Sequence, residues 1–240
     1  MELFSQRPFH FKRFSLFHHR STMKTGTDAV LLGAWLNTEN THRILDAGTG
    51  CGIIALMLAQ RTQAIIDAID IDKDSCEEAS FNFGRSHWNK RLFVSHIDLK
   101  QYIQTANVSY DLIVSNPPFF ADSVKTKHHR RNLARHNDSM SYEMLLEAAG
   151  TLLQNNGRLG MVMPHKEGEL FLKQAFVSGL RLHRLLNIIP VRGRMPNRIN
   201  FEIGWQAPIE EWSGEFVIRE SNGSFTTQYE ELLKDYYLGL

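Results

Sequence analysis

Ser115-Asn116-Pro117-Pro118-Phe119-Phe120 is the stretch of this chain whose residue types are best suited to chemistry. It follows Tyr110-Asp111-Leu112-Ile113-Val114, a short apolar run that reads as a buried parallel strand. Two successive prolines end the strand and stiffen the turn, holding the Asn116 side chain and the Pro117 carbonyl at its C-terminal edge. Open α/β sheets take their ligands at that edge. An amide oxygen beside a carbonyl oxygen makes two fixed acceptors, and the ring of Phe119 adds a flat face. The set suits a planar group bearing an NH2, each acceptor taking one amino hydrogen while the ring stacks, as the exocyclic amine of a nucleobase would require. Taken alone, the stretch is equally a Pro-rich turn leaving a strand, and a second constellation upstream decides between the two.

That constellation is Asp46-Ala47-Gly48-Thr49-Gly50-Cys51-Gly52. Arg43 to Ala47 reads as a strand, the glycines as a tight turn, and Ile53 to Gln60 as a helix. Gly48 and Gly50 let the backbone come close to a ligand, and the helix N-terminus adds N–H groups without partners. Asp46, directly before the glycines, disfavours a pyrophosphate and suits a cationic or amine-bearing ligand. S-adenosylmethionine, with its sulfonium and α-amine, meets that description better than a nicotinamide dinucleotide. Ala64 to Asp70 reads as a second strand, and its final acid falls about twenty residues beyond the glycines, where a carboxylate accepts from ribose hydroxyls. Asp72 is two residues on and shares a strand face with Asp70. Asp70 is favoured for the ribose, and Asp72 or Asp74 for capping the next helix. Asp98 closes a third strand, where it either accepts from the adenine amine of the cofactor or caps the helix that follows.

These residues need a scaffold that brings strand ends together. Strands and helices alternate along the chain: a helix from Thr27 or Asp28 to near Asn37, another over Asp74 to Ser86, a third strand at Leu92 to Val94, and helices over Leu99 to Gln104 and Ser141 to Gln154. A turn at Asn155-Asn156-Gly157, a strand over Arg158 to Met163, a helix over Glu167 to Ser178 and strands near 182–190 and 198–205 complete the reading. The expected fold is α/β, a doubly wound, mostly parallel sheet with a short N-terminal extension. One domain is expected over 1–240, with an arm and helix in 1–40 and the core in 41–240. Phe9 to Phe17 reads as an extended arm or a hairpin, with a slip in its alternation at Lys12-Arg13.

A formal charge of +1 conceals an uneven distribution. Arg7, Lys12, Arg13, Arg20 and Lys24 dominate the start, and residues 123–136 carry Lys125, Lys127, Arg130, Arg131 and Arg135 with no acid. Lys12, Arg13, Lys125, Lys127, Arg130, Arg131 and Arg194 are the candidate contacts to a polyanion. Cys51 and Cys76 are the only cysteines and give neither a disulfide framework nor zinc spacing, which points to a reducing, cytoplasmic setting. No run approaches a membrane span, and the adjacent pairs His18-His19 and His128-His129 lack metal-ligand spacing.

The order Asp46 to Gly52, Asp70, Asp98 and Asn116 to Phe119 resembles class I S-adenosylmethionine-dependent methyltransferases that modify planar amine or amide nitrogens. Met23-Lys24-Thr25-Gly26-Thr27-Asp28-Ala29-Val30-Leu31-Leu32-Gly33-Ala34-Trp35, with Leu56 to Arg61 after the glycines, is more narrowly similar to the bacterial tRNA1(Val) adenine-N6 methyltransferase family. The resemblance implies S-adenosylmethionine as cofactor and, as substrate, the tRNA adenine just 3′ of the anticodon. Direct methyl transfer to an oriented amine requires no metal and no nucleophilic residue. Phe119 stands where many adenine-N6 enzymes carry tyrosine, and Asn-Pro-Pro-Phe also occurs in guanine-N2 rRNA enzymes. Methylation of rRNA guanine or of a protein glutamine therefore stays open as an alternative.

Overall fold

The computed structural model describes residues 7–21, 26–118 and 140–239. A hairpin of β1 (Phe9–His10) and β2 (Ser15–Leu16) precedes α1 (Thr27–Trp35). There follow β3 (Arg43–Ala47), α2 (Ile53–Arg61), β4 (Ile65–Asp70), α3 (Lys73–Arg85), β5 (Leu92–His96), α4 (Leu99–Thr105) and β6 (Tyr110–Ser115). Beyond residue 139 come α5 (Tyr142–Leu152), β7 (Leu153–Pro164), α6 (His165–Val177), β8 (Arg181–Val191), β9 (Arg198–Gly204), β10 (Trp212–Arg219) and α7 (Thr227–Leu233). The main sheet runs β10-β8-β9-β7-β6-β3-β4-β5, parallel except for β9, which is antiparallel to both β7 and β8.

Strands buried on both faces must be apolar throughout, and successive side chains feed opposite layers. In β3, Ile44 packs with the layer that contains α1, α2, α3 and α7, while Leu45 packs with α4, α5 and α6. From β3 the chain winds outward through β4 to β5, then returns to place β6 on the other flank of β3. The C-terminal ends of β3 and β6 thus flank the point where the winding reverses, the place at which such sheets bind ligands.

The expected doubly wound, mostly parallel sheet is what forms, with local differences that have physical causes. Gly26, not Thr27 or Asp28, stands at the N-cap of α1, and Asp28 instead pairs with Arg198 of β9 at 2.9 Å. The predicted turn at 155–157 is a bulge inside β7: Tyr110 pairs with Leu153 and Leu112 with Arg158. Strand β10 and helix α7 were not foreseen. β10 is an edge strand whose burial is confined to Phe216 and Val217, too little for an apolar signal, and α7 buries only Tyr229 and Leu233.

The arm forms the hairpin, with Lys12 and Arg13 at its turn, closed by the Phe11 N–H donating to the Phe14 carbonyl at 2.9 Å. Two buried polar residues of α3, one turn apart, hold the chain that follows. Glu78 accepts from the backbone N–H groups of His19, Arg20 and Ser21. Asn82 accepts from the Phe17 N–H and donates to both the Phe17 and Cys51 carbonyls at 2.8 Å. The arm, α3 and the glycine turn are therefore one hydrogen-bonded unit. Among the described residues no helix is long and apolar enough to cross a membrane.

Candidate active site at the ends of β3, β4 and β6

The glycine turn hangs from the end of β4: the N–H groups of Gly48 and Thr49 both donate to the Ile69 carbonyl, at 2.9 and 3.0 Å. Gly50, with φ of +55°, has no described residue within 4 Å of where a Cβ would stand. Gly52 has φ of +86°, and a Cβ there would meet the Phe83 ring at 2.5 Å, so only glycine lets α2 start so close to α3.

Asp46 is 1 % exposed. Its Oδ2 accepts from Thr49 Oγ1 at 2.7 Å and from the Ala55 N–H at 3.2 Å, whereas its Oδ1 has no partner among the described residues. Burial pushes this carboxyl up to about 7, against the pull of those two hydrogen bonds. A buried acceptor without a donor costs about 1–3 kcal/mol, which a ligand amine would offset.

Asp70 is half-buried, and burial raises its pKa. Its Oδ2 takes the Gly50 N–H at 2.8 Å and its Oδ1 the Asp72 N–H at 2.9 Å, with the Ile71 N–H also favouring the carboxylate. Asp72 faces the other way, capping α3 through the Ser75 N–H and hydroxyl at 2.8 and 2.7 Å. Of the two acids left open by spacing, Asp70 is the one beside the glycine turn. Asp98 is the N-cap of α4, accepting from the Gln101 N–H at 2.8 Å.

Asn116 stands just past β6 with its Oδ1 buried and without a partner among the described residues. Before it, Ser115 Oγ donates to the Ala47 carbonyl at 2.8 Å, locking the end of β6 to the end of β3. After it, Pro117 is buried and Pro118 exposed. Asp46 pairs with Val114 in register, so Asn116 lies two residues farther along the neighbouring strand, with Cα atoms on the order of 8 Å apart. Two orphaned acceptors thus stand on adjacent strand ends at the reversal point.

The candidate polyanion contacts do not share one edge. Arg194 lies in the exposed turn after β8, on the same edge as Asn116, next to Arg192, which pairs with Glu220. Lys12 and Arg13 sit at the far end of α3, where Lys12 donates to the Lys234 carbonyl and the Arg13 guanidinium lies 5.9 Å from the Trp88 ring. Phe119, Lys125, Lys127, Arg130 and Arg131 lie outside the described residues, as does the stretch 22–25. Sequence reading missed Glu78 and Asn82, whose signal was only a spacing of four on one face of α3. Ser115 opens the stretch singled out in the sequence, but its bond to the Ala47 carbonyl carried no sequence signal.

The groups present fit S-adenosylmethionine: an orphaned carboxylate oxygen for an amine, a glycine turn, and Asp70 alongside it. Fold and site together define a class I methyltransferase architecture. The methyltransferase small domain family model matches residues 17–181. A tRNA1(Val) (adenine(37)-N6)-methyltransferase from Parabacteroides distasonis is 40% identical over 230 residues, covering 96% of this chain and 97% of that protein. One of the same description from Flavobacterium johnsoniae is 43% identical over 237 residues, covering 96% and 99%. A crystal structure described as a predicted O-methyltransferase from Agrobacterium tumefaciens superposes with a TM-score of 0.65 at 18% identity, covering 87% of this chain and 96% of that one, and speaks for the fold alone. The chain belongs to the methyltransferase small domain family and, within it, to the tRNA1(Val) (adenine(37)-N6)-methyltransferases. Its cofactor is S-adenosylmethionine.

Proposed function

We infer that this enzyme methylates N6 of the adenine 3′ of the anticodon in tRNA1(Val). The observation that carries the reading is the pair of orphaned acceptors, Asp46 Oδ1 and Asn116 Oδ1, at the ends of β3 and β6. The amine-bearing part of the cofactor goes to Asp46, its ribose hydroxyls to Asp70, and its backbone contacts to Gly48 and Gly50. Asp98 accepts from the cofactor's adenine amine with the capacity its cap bond leaves free.

S-adenosylmethionine supplies an electrophilic methyl group on a sulfonium. The amine of adenine is a poor nucleophile because its lone pair is delocalised into the ring. Asn116 Oδ1 and the Pro117 carbonyl each accept one amino hydrogen, which orients the nitrogen and returns electron density to it. Phe119 stacks on the base and fixes its plane. A base held this way has left its helical stack, which favours a loop nucleotide. Lys125, Lys127, Arg130, Arg131 and Arg194 grip phosphates near this edge, and Lys12 and Arg13 do so farther away. The chain works as one unit over 1–240 in the cytoplasm.

Incubation with methyl-labelled cofactor and, separately, tRNA, rRNA and release factors tests the acceptor class. Label in tRNA alone is expected. Label in rRNA or in a release factor would transfer the site to a guanine amine or a glutamine amide.

A further inference from the structure

On the edge of the sheet opposite Asn116, the hairpin turn and the C-terminal end of α3 enclose a cleft of about 290 Å³. It is lined by Lys12, Arg13, Arg85 and His87 together with Phe11 and Phe14, and among the described residues no carboxylate lines it. Arg13 and Arg85 spend their charge on rings: Arg13 lies over Trp88, and Arg85 is 5.5 Å from the Phe81 centroid. Neither they nor His87 pair with an acid among the described residues. Arg13, Arg85 and His87, three donor side chains lining one cleft with no carboxylate among the described residues, make an anion site, and planar guanidinium groups favour a phosphate.

We propose that this cleft binds a backbone phosphate of the RNA substrate at a point remote from the methylated base. The assignment rests on the tRNA reading above. Helix α3 begins beside Asp70 and ends at Arg85, so its thirteen residues separate the two edges by about 20 Å. A nucleotide in the Asn116 pocket and a phosphate in the cleft therefore belong to different parts of one polynucleotide, and only a folded RNA larger than the target loop spans both. The hairpin can be held rigidly enough for this because Glu78 and Asn82 fasten the following chain to α3.

The test is the double variant Arg85→Gln/His87→Gln, measured for tRNA KM and for the salt dependence of tRNA binding. The KM should rise about tenfold and the log–log salt slope should flatten by about 1–2, the loss of one or two phosphate contacts. The KM for a loop-only oligonucleotide should match wild type, because that ligand does not reach the cleft. Arg85→Lys keeps the charge and should restore most of the tRNA affinity, which a merely packing role of Arg85 would not predict. Inorganic phosphate should compete with tRNA for wild type and lose that effect in the double variant. An unchanged KM and slope for tRNA would overturn the assignment, and phosphate binding without any change toward tRNA would make the cleft a small-anion site. If wild type methylates no tRNA at all, the functional reading fails first, a result distinct from either.

Discussion

Replacing Asp46 by asparagine removes a buried carboxyl that accepts from the glycine turn while keeping its shape. In the free enzyme burial holds the Asp46 carboxyl at about 7, so at about pH 6 only some tenth of the molecules carry the carboxylate that an ammonium ligand needs. Binding that requires the ionised form weakens by a factor of one plus ten to the power of pKa minus pH, so affinity for S-adenosylmethionine should gain about eightfold, or about 1.3 kcal/mol, from about pH 6 to about pH 7.5. Calorimetry in buffers of different ionisation enthalpy should register a proton released on binding near pH 6.5. Asp46→Asn should bind about ten- to a hundredfold more weakly at about pH 7.5, lose the pH gain and release no proton. The same carboxyl shapes stability. Its folded pKa lies above the unfolded value, so the folded state holds the proton longer and stability falls as pH rises from about 4 through about 7, by on the order of 4 kcal/mol in the free protein. A wild-type affinity that is flat across this range, with no proton release, would refute the idea that Asp46 receives the amine.

Asn116→Ala should leave cofactor affinity near wild type and lower kcat by about a hundredfold or more, read in single-turnover methyl transfer. Asp70→Ala should weaken cofactor binding by about 1–3 kcal/mol in calorimetry, since the turn and the bound hydroxyls lose a charged acceptor together. Asn82→Leu leaves the Phe17 and Cys51 carbonyls without their donor and should lower the unfolding free energy by about 2–4 kcal/mol in urea titration, a value near zero showing that the arm holds without it. Asp98→Ala should cost about 1 kcal/mol of stability through the lost cap of α4, and a larger drop in cofactor affinity than in stability would identify the adenine contact.

How much of this was readable beforehand depended on how strongly each element is buried. Strand β3 was legible to the residue because Ile44, Leu45 and Ala47 feed both buried faces, and the glycines and prolines that bound β3 and β6 are fixed by backbone geometry. Strand β10 escaped because an edge strand with one solvated face has almost no apolar run. Charge was legible at Lys12, Arg13 and Arg194, but their positions on opposite edges follow from the path of the arm along α3. That path is set by Glu78 and Asn82, two residues that look like part of a solvated helix face until their backbone partners are seen. The orphaned oxygens of Asp46 and Asn116 are likewise properties of packing, although both residues stood out by type and place.

Digestion and mass spectrometry of tRNA1(Val) after reaction with methyl-labelled cofactor tests the central claim most directly. One N6-methyladenosine at the position 3′ of the anticodon is the expected product, formed about a hundredfold or more slowly with Asn116→Ala. A methyl group on a guanine, or on an adenine ring nitrogen, would contradict the account of an amine held between Asn116 and Pro117.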